Sequence, residues 1–349
     1  MKIALLTEYC KIGGGESNLL NLAEELKKYV DVTLFCNEEV KKEALKRAIK
    51  VEYFSINKRW FKGLLIPKYD KKLIQKLNNF DIAHSYSINP IALFPFVNTK
   101  KVLTIHGFWE KPYGLRARII EKITDKVITV STDVDNITKM KNKKKIFLGT
   151  NITNCKKEIT NFDLIKIACI ARFQKIKGQN ILLEAIKLVS KKIDKPIEIN
   201  FIGDVNSNNK EDIEFKNKVI LLAKNLKNSK LKIKFLGFQK DIRKLIINSH
   251  LVVIPSRYES FSMVAIEALS CETPIIAPNI GGLKDIINSD KIGLLFEAGN
   301  IKDLSEKILL AINNYSVFDK NQIKKRGNSF SIEIQAKKHL EIYKELING

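Results

Sequence analysis

Apolar residues are distributed along this chain in two alternating modes. Short aliphatic and aromatic runs, such as Ile3-Ala4-Leu5-Leu6 and Ile165-Lys166-Ile167-Ala168-Cys169-Ile170, read as buried strands. Between them lie stretches in which apolar positions return every three or four residues, the period of a helix with one buried face. The pattern predicts strands at 2–7, 31–36, 50–56, 81–85, 101–106 and 126–131, with helices such as 17–29, 38–49 and 70–79 between them. After the polar stretch Gly149-Thr150-Asn151-Ile152-Thr153-Asn154 the series restarts, with strands at 165–170, 197–202, 231–236, 251–255 and 274–277. The second set of helices is expected at 178–190, 210–227, 239–248 and 262–271.

Strands alternating with helices in this way build parallel sheets, so the expected fold class is α/β. Two doubly wound, Rossmann-like domains are predicted, residues 1–155 and 156–330, joined by a linker near 150–162. Residues 331–349 read as a final amphipathic helix that can pack back on the first domain. Ligands of such sheets bind beyond the carboxyl ends of the strands, which predicts two domains facing one another across a cleft.

A length of 349 residues agrees with two hydrophobic cores rather than one. With 45% hydrophobic and 28% charged residues the chain is foldable, and collagen-like, low-complexity and largely disordered classes are excluded. Its apolar runs, Leu251 to Pro255 among them, fall far short of the roughly 20 residues a membrane-spanning helix needs. Met1 to Thr7 lacks the apolar core of a signal peptide and reads as a strand. Five cysteines, at 10, 36, 155, 169 and 271, form no CxxC pair and no metal-like spacing with the four histidines, so a reduced, cytoplasmic protein without structural zinc is expected. The net charge is +23, divided as +12 in residues 1–150 and +11 in the remainder. An excess spread so evenly argues against a dedicated nucleic-acid groove.

Three places carry candidate chemistry. Gly13-Gly14-Gly15-Glu16-Ser17 joins a strand to a helix, and such a loop offers backbone N–H groups and a positive helix end to a phosphate. It reads equally as a tight turn without a ligand. Counting from Gly13 and Gly15, the third glycine of a dinucleotide fingerprint is replaced by Asn18, which disfavours that use. Next, Arg172 follows strand 165–170 and Lys177 precedes the next helix; a guanidinium fork and an ammonium so placed suit a pyrophosphate, or else simply solvate a helix entrance. Finally, in Ile254 to Leu269 a buried strand ends at Pro255 and a helix begins near Ser262. Glu259 then sits in the loop and Glu267 about a turn inside the helix, both able to face one pocket. Carboxylates repel a diphosphate but accept hydrogen bonds from sugar hydroxyls. The alternative is a helix-terminal charge and a buried structural acid.

The ordered set of motifs resembles glycosyltransferase family 4: Gly13 to Glu16, Ala171-Arg172-Phe173 with Lys177-Gly178, Phe235 to Phe238, Pro255 to Phe261 with its Glu-x7-Glu spacing, and Thr273-Pro274 with Gly281-Gly282. The resemblance runs the length of the chain and is most specific from 165 to 297. It implies a GT-B fold and retaining transfer of a sugar from a nucleotide-sugar, a UDP-sugar being the commoner donor, to a saccharide or lipid-linked glycan of the cell surface. By that resemblance Arg172 and Lys177 hold the donor diphosphate, Glu259 the sugar hydroxyls, and Glu267 the ribose. Backbone N–H groups of Phe261, Ser262, Met263 and Val264 complete the donor contacts, Gly14 and Gly15 approach the diphosphate, and His106 touches the transferred sugar. No enzymic nucleophile and no cofactor are implied. Ser262 departs from the family pattern, standing where glycine is frequent, so its side chain must turn away from the phosphates.

His84 remains a candidate acceptor contact, and His250 and His339 read as structural. Asp133-Val134-Asp135 imitates a metal-binding DxD motif but follows Ser131-Thr132 at a predicted helix start, where such residues are ordinary caps. With Arg172 and Lys177 available no metal is expected. Basic residues interleaved with Trp60, Phe61 and Leu64 to Ile66 in the segment 58–69 suit either the inner face of an anionic membrane or a core-facing loop. Residues 108–118, just after His106, are placed to form an acceptor wall. Two other readings keep the fold but change the role: a sugar-nucleotide epimerase or phosphorylase, and a non-catalytic basic membrane- or nucleic-acid-binding protein.

Overall fold

The computed structural model describes residues 1–9, 12–54, 58–61, 64–67, 70–107, 114–152, 157, 161–205, 209–226 and 228–349, with the backbone alone for 58–61, 64–67 and 114–116. The chain divides into two compact units, Met1–Asn151 with Phe330–Gly349, and Ile152–Ser329.

The first unit runs β1 (Lys2–Leu6), α1 (Gly14–Leu26), β2 (Asp31–Cys36), α2 (Glu38–Lys46), β3 (Lys50–Tyr53), β4 (Lys58–Phe61), β5 (Leu64–Pro67), α3 (Lys71–Leu77), β6 (Ile82–Ser85), β7 (Lys100–Ile105), α4 (Gly114–Ile123), β8 (Lys126–Thr129), α5 (Thr132–Ile137) and β9 (Lys143–Lys145). Seven of these strands form a parallel sheet in the order β3-β2-β1-β6-β7-β8-β9. The order reverses between β1 and β6, the position where such sheets open onto a ligand. Helix α1 begins three residues before the periodicity predicts, because the Glu16 carboxylate accepts the Gly13 N–H at 2.9 Å and stabilises an entry made of glycines. Within the segment 58–69, expected as an interfacial stretch or a core-facing loop, residues 58–61 and 64–67 pair as the antiparallel strands β4 and β5.

The second unit contains β10 (Ile165–Ile170), α6 (Gln179–Val189), β11 (Ile197–Ile202), α7 (Lys210–Asn225), β12 (Leu231–Phe235), α8 (Arg243–Ile247), β13 (Leu251–Val253), α9 (Met263–Ser270), β14 (Ile275–Pro278), α10 (Gly281–Ile286), β15 (Gly293–Phe296), α11 (Ile301–Asn313) and α12 (Lys320–Asn328). Its parallel sheet has the order β12-β11-β10-β13-β14-β15, reversing between β10 and β13. Lys232 and Lys234 on the edge strand β12 pair with Glu198 of β11 at 3.7 and 2.7 Å, charges that discourage edge pairing.

The last helix, α13 (Ile332–Asn348), belongs to the first unit. Its apolar residues Ile332, Ala336, Leu340 and Ile342 join the core of α1, β1 and β2. A bridge between Thr150 and Ser331 fixes its entry, and Gly149 has no room for a side chain there: a Cβ would lie 2.7 Å from the Ser331 carbonyl. Asn18, the residue in the place of a fingerprint glycine, is fully buried beneath this helix. Its Nδ2 donates to the Gly149 carbonyl and to Gln335 Oε1, both at 2.8 Å, while Gln335 accepts from Gly149 N at 2.7 Å and returns a bond to Asn18 Oδ1 at 3.2 Å.

One and two turns further along the same helix face, His339 and Tyr343 enter a buried cluster with His84 and Tyr86. His84 Nδ1 meets the Tyr343 hydroxyl at 2.6 Å and its Nε2 meets Thr104 Oγ1 at 2.8 Å. Burial holds His84 well below the ordinary histidine range and brings His106 and His339 to about 4. All three are therefore neutral near pH 7. Among the described residues no helix is long and apolar enough to cross a membrane.

Two outcomes follow for the first unit. Asn18→Ala leaves buried donors and acceptors unpaired and is expected to cost about 2–4 kcal/mol, read as a lowered Tm. His106 and His339 bind protons in the unfolded chain below pH 6.5 but not in the fold until about pH 4, so their contribution to stability is complete above pH 6.5 and lost as pH falls from there toward 4. Hydrogen-exchange protection of β6 and β7, corrected for intrinsic rates, should fall across that window, while invariant protection contradicts the assignment.

Candidate functional site

The second unit gathers its chemistry at the carboxyl ends of four neighbouring strands, β11, β10, β13 and β14. Each strand-end loop leans on the next through a glycine. A Cβ on Gly203, after β11, would stand 2.1 Å from the Ala171 carbonyl after β10; one on Gly178 would stand 2.0 Å from the Pro255 carbonyl after β13. One on Gly281, after β14, would overlap the Glu259 carbonyl at 1.5 Å. All three glycines have positive φ, 131°, 67° and 51°, so both conformation and contact exclude a side chain. The Arg257 N–H donates to the Ile176 carbonyl at 2.7 Å and the Gly282 N–H to the Ser260 carbonyl at 3.1 Å, closing the same set of loops.

Within this frame the expected donor-binding residues differ in how they are engaged. Arg172 is exposed, its carbonyl held by Gln179 Nε2 at 2.8 Å, and its guanidinium makes no hydrogen bond or ion pair among the described residues. Lys177 Nζ and Glu259 Oε1 form a half-buried ion pair of 2.7 Å, and Ser256 Oγ donates to the same carboxylate oxygen at 2.9 Å. The cation and the acid that the family resemblance sends to phosphate and sugar thus hold each other.

Glu267 lies in α9 and has no hydrogen-bond partner for its carboxyl among the described residues. Burial pushes it up to about 7, opposed by the Arg243 guanidinium. A carboxyl in that state gains from any pair of hydroxyl donors brought to it. Ser262 is the N-cap of α9; its Oγ accepts the Ala265 N–H at 3.4 Å, so the hydroxyl that stands where the family often has glycine turns into its own helix. Met263 and Val264, in the first turn, have N–H groups outside the helix ladder, and Phe261 is buried against Gly282. Arg243 and Ser256 were not singled out from sequence. Ser256 lies inside the recognised motif, but nothing local marks Arg243, whose link to Glu267 spans 24 positions of chain.

In the first unit Gly14 is exposed and Gly15 has nothing within 4 Å of where a Cβ would stand, at the carboxyl end of β1. His106 follows β7 with its ring 5.2 Å from that of Tyr86. His84 is not presented to an acceptor, since it is fully buried and both ring nitrogens are engaged inside the unit. His250 is likewise internal, accepting the Lys166 N–H at 2.9 Å and bonded to the Asn161 carbonyl at 2.9 Å. In the DxD-like stretch Asp135 accepts from Thr129 at 2.7 Å and pairs with Lys143 at 3.3 Å in the first turn of α5. Of the expected acceptor wall, residues 108–113 lie outside the described residues and 114–118 open α4.

Comparison with known proteins agrees with these motifs. Residues 152–329 match the model of glycosyl transferases group 1, and residues 12–143 that of glycosyltransferase family 4. The uncharacterized glycosyltransferase MJ1178 of Methanocaldococcus jannaschii is 29% identical, covering 97% of this chain and 96% of its own. The N-acetyl-alpha-D-glucosaminyl L-malate synthase of Bacillus anthracis is 25% identical over 70% of each chain. Among solved structures, Anabaena HepE in complex with UDP and glucose superposes with a TM-score of 0.80 at 20% identity, covering 98% of this chain and 99% of that one, which establishes the shared GT-B fold.

The state of Glu267 makes a stability prediction. An acid raised from its ordinary range to about 7 destabilises the fold progressively as pH rises from 4.5 to 7. Glu267→Gln should therefore raise the Tm of the ligand-free protein at pH 8, with the advantage vanishing toward pH 4.5. A variant less stable than the parent at pH 8 would contradict the assignment.

Proposed function

The chain belongs to the glycosyl transferases of group 1, and from that premise we propose a retaining enzyme that moves a sugar from a nucleotide-sugar, with UDP the favoured nucleotide, to a saccharide or lipid-linked glycan. The observation that carries this reading is the trio of groups at the strand ends that are self-paired or unsatisfied among the described residues: the Arg172 guanidinium, the Lys177–Glu259 pair and the Glu267 carboxyl. A nucleoside diphosphate sugar supplies a partner for each. Its phosphates take Arg172 and draw Lys177 away from Glu259, the released Glu259 accepts hydroxyls of the sugar, and the ribose diol donates to Glu267. The UDP and glucose of the HepE complex support the choice of donor class.

In this reading the bond between the sugar's anomeric carbon and the donor phosphate oxygen breaks while the acceptor oxygen bonds the same face of that carbon. The acceptor proton passes to the departing phosphate, whose charge Arg172 and Lys177 offset together with the N–H groups of the α9 first turn and of Gly14 and Gly15. His106, neutral near pH 7, is assigned to the transferred sugar. Two cations fixed by the chain make a divalent metal unnecessary in this scheme. The basic and aromatic composition of 58–69 supports work at the anionic inner face of the cytoplasmic membrane on a lipid-linked acceptor.

A thermal-shift panel of UDP-, GDP- and ADP-sugars should give its largest rise in Tm with a UDP-sugar. Glu259→Gln and Arg172→Ala are each expected to lower transfer by about a hundredfold or more. Unchanged transfer in both variants, or donor turnover without an acceptor, returns the molecule to the non-catalytic or the epimerase and phosphorylase readings. The anomeric configuration of the product, read by NMR, tests retention.

A further inference from the structure

The buried face that α13 presents to the first unit is polar at three positions one turn apart, Gln335, His339 and Tyr343. Burying three polar side chains where apolar ones pack equally well costs desolvation, and fixed partners are what offset it. Gln335 is used on Asn18 and Gly149, which docks the helix. His339 is used differently. Its Nδ1 lies 2.8 Å from the Gln335 carbonyl, which accepts only, so Nδ1 carries the proton and Nε2 is the acceptor. The Tyr86 hydroxyl, 3.3 Å from that Nε2, must therefore donate. The same Tyr86 ring lies 5.2 Å from the His106 ring, inclined at 45°.

Tyr86 follows β6 and His106 follows β7, two adjacent parallel strands in which His84 and Ser85 stand opposite Val102 and Leu103. His84 stacks on His339 with ring centroids 5.6 Å apart and is clamped between Tyr343 and Thr104, so the His339 imidazole that accepts the Tyr86 hydrogen bond packs against a fixed ring. Every side chain in this train is buried except His106, which is partly exposed at its end.

We propose that Tyr86 and His339 are positioning residues for His106, so that the C-terminal helix sets the orientation of an imidazole at the sugar-transfer site. This rests on the assignment of His106 to the transferred sugar. A neutral imidazole offers one donor and one acceptor nitrogen, so its usefulness to a sugar depends on how the ring is turned. The Tyr86 ring forms one wall against that turn, and His339 fixes Tyr86 through its hydroxyl. The helix therefore contributes to the site without touching substrate.

The test separates positioning from simple helix docking. Tyr86→Phe and His339→Leu are each expected to lower kcat by roughly tenfold with little change in donor KM, and His339→Gln, which restores an acceptor oxygen, to recover part of the loss. Ile342→Ala removes apolar packing from the same helix and takes no part in the hydrogen-bonded train, so it should lower Tm and leave kcat unchanged. Histidine NMR supplies a readout independent of turnover: in Tyr86→Ala, water reaching His106 should move its titration from about 4 toward the ordinary 6.5. Wild-type kcat in both Tyr86→Phe and His339→Leu, together with an unmoved His106 titration, overturns the proposal. Full transfer by His106→Ala would instead remove His106 from the reaction, a separate failure to which the titration is indifferent.

Discussion

Backbone meets backbone at the carboxyl ends of β11, β10, β13 and β14, and the candidate donor site depends on that contact. Gly203, Gly178 and Gly281 each stand where a single carbon atom would collide with a neighbouring carbonyl, and each has a left-handed conformation that favours glycine. Because the loops touch, Lys177 of one and Glu259 of another come within 2.7 Å. Without that approach the motifs would be four separate surface loops. With it they form an array in which charges are held close together before any ligand arrives, and preorganisation of this kind is where binding and catalysis draw their electrostatic advantage.

The site is also poised at some expense to the fold. Glu267 is a largely desolvated acid whose carboxyl lacks a hydrogen bond, and Arg172 a cation that lacks a counter-ion, both among the described residues. Lys177 and Glu259 neutralise one another and need only change partners. A dianionic leaving group flanked by sugar hydroxyls is complementary to that arrangement, which connects the local energetics to the family's reaction more directly than the motif string does.

Much of this was legible in the chain. Strand runs such as 165–170 and 197–202 were placed to the residue because buried parallel strands are continuously apolar. The Glu-x7-Glu stretch and Arg172 were found because local spacing encodes which end of a strand or helix a side chain occupies. What escaped was long-range or context-bound. Strand β15 and helices α10 to α12 were not predicted, helix α8 spans five residues where ten were expected, and the paired strands β4 and β5 lie in a stretch, 58–69, that read as either an interfacial segment or a core-facing loop. Asn18 showed only that a dinucleotide fingerprint was broken; its partner Gln335 lies 317 positions away. His84 reads from sequence as a candidate acceptor contact, yet its two ring nitrogens are engaged by Tyr343 and Thr104, contacts no spacing rule reveals.

The central claim is that a nucleotide-sugar replaces the internal pairing of these groups with pairing to itself. A crystal structure of the protein with a bound nucleotide-sugar measures this directly. The account predicts that Lys177 and Arg172 lie on the diphosphate, Glu259 on the sugar and Glu267 on the ribose, with the 2.7 Å contact between Lys177 and Glu259 opened. A bound nucleotide that leaves that contact closed, with Arg172 in solvent and Glu267 still without a donor, would contradict it.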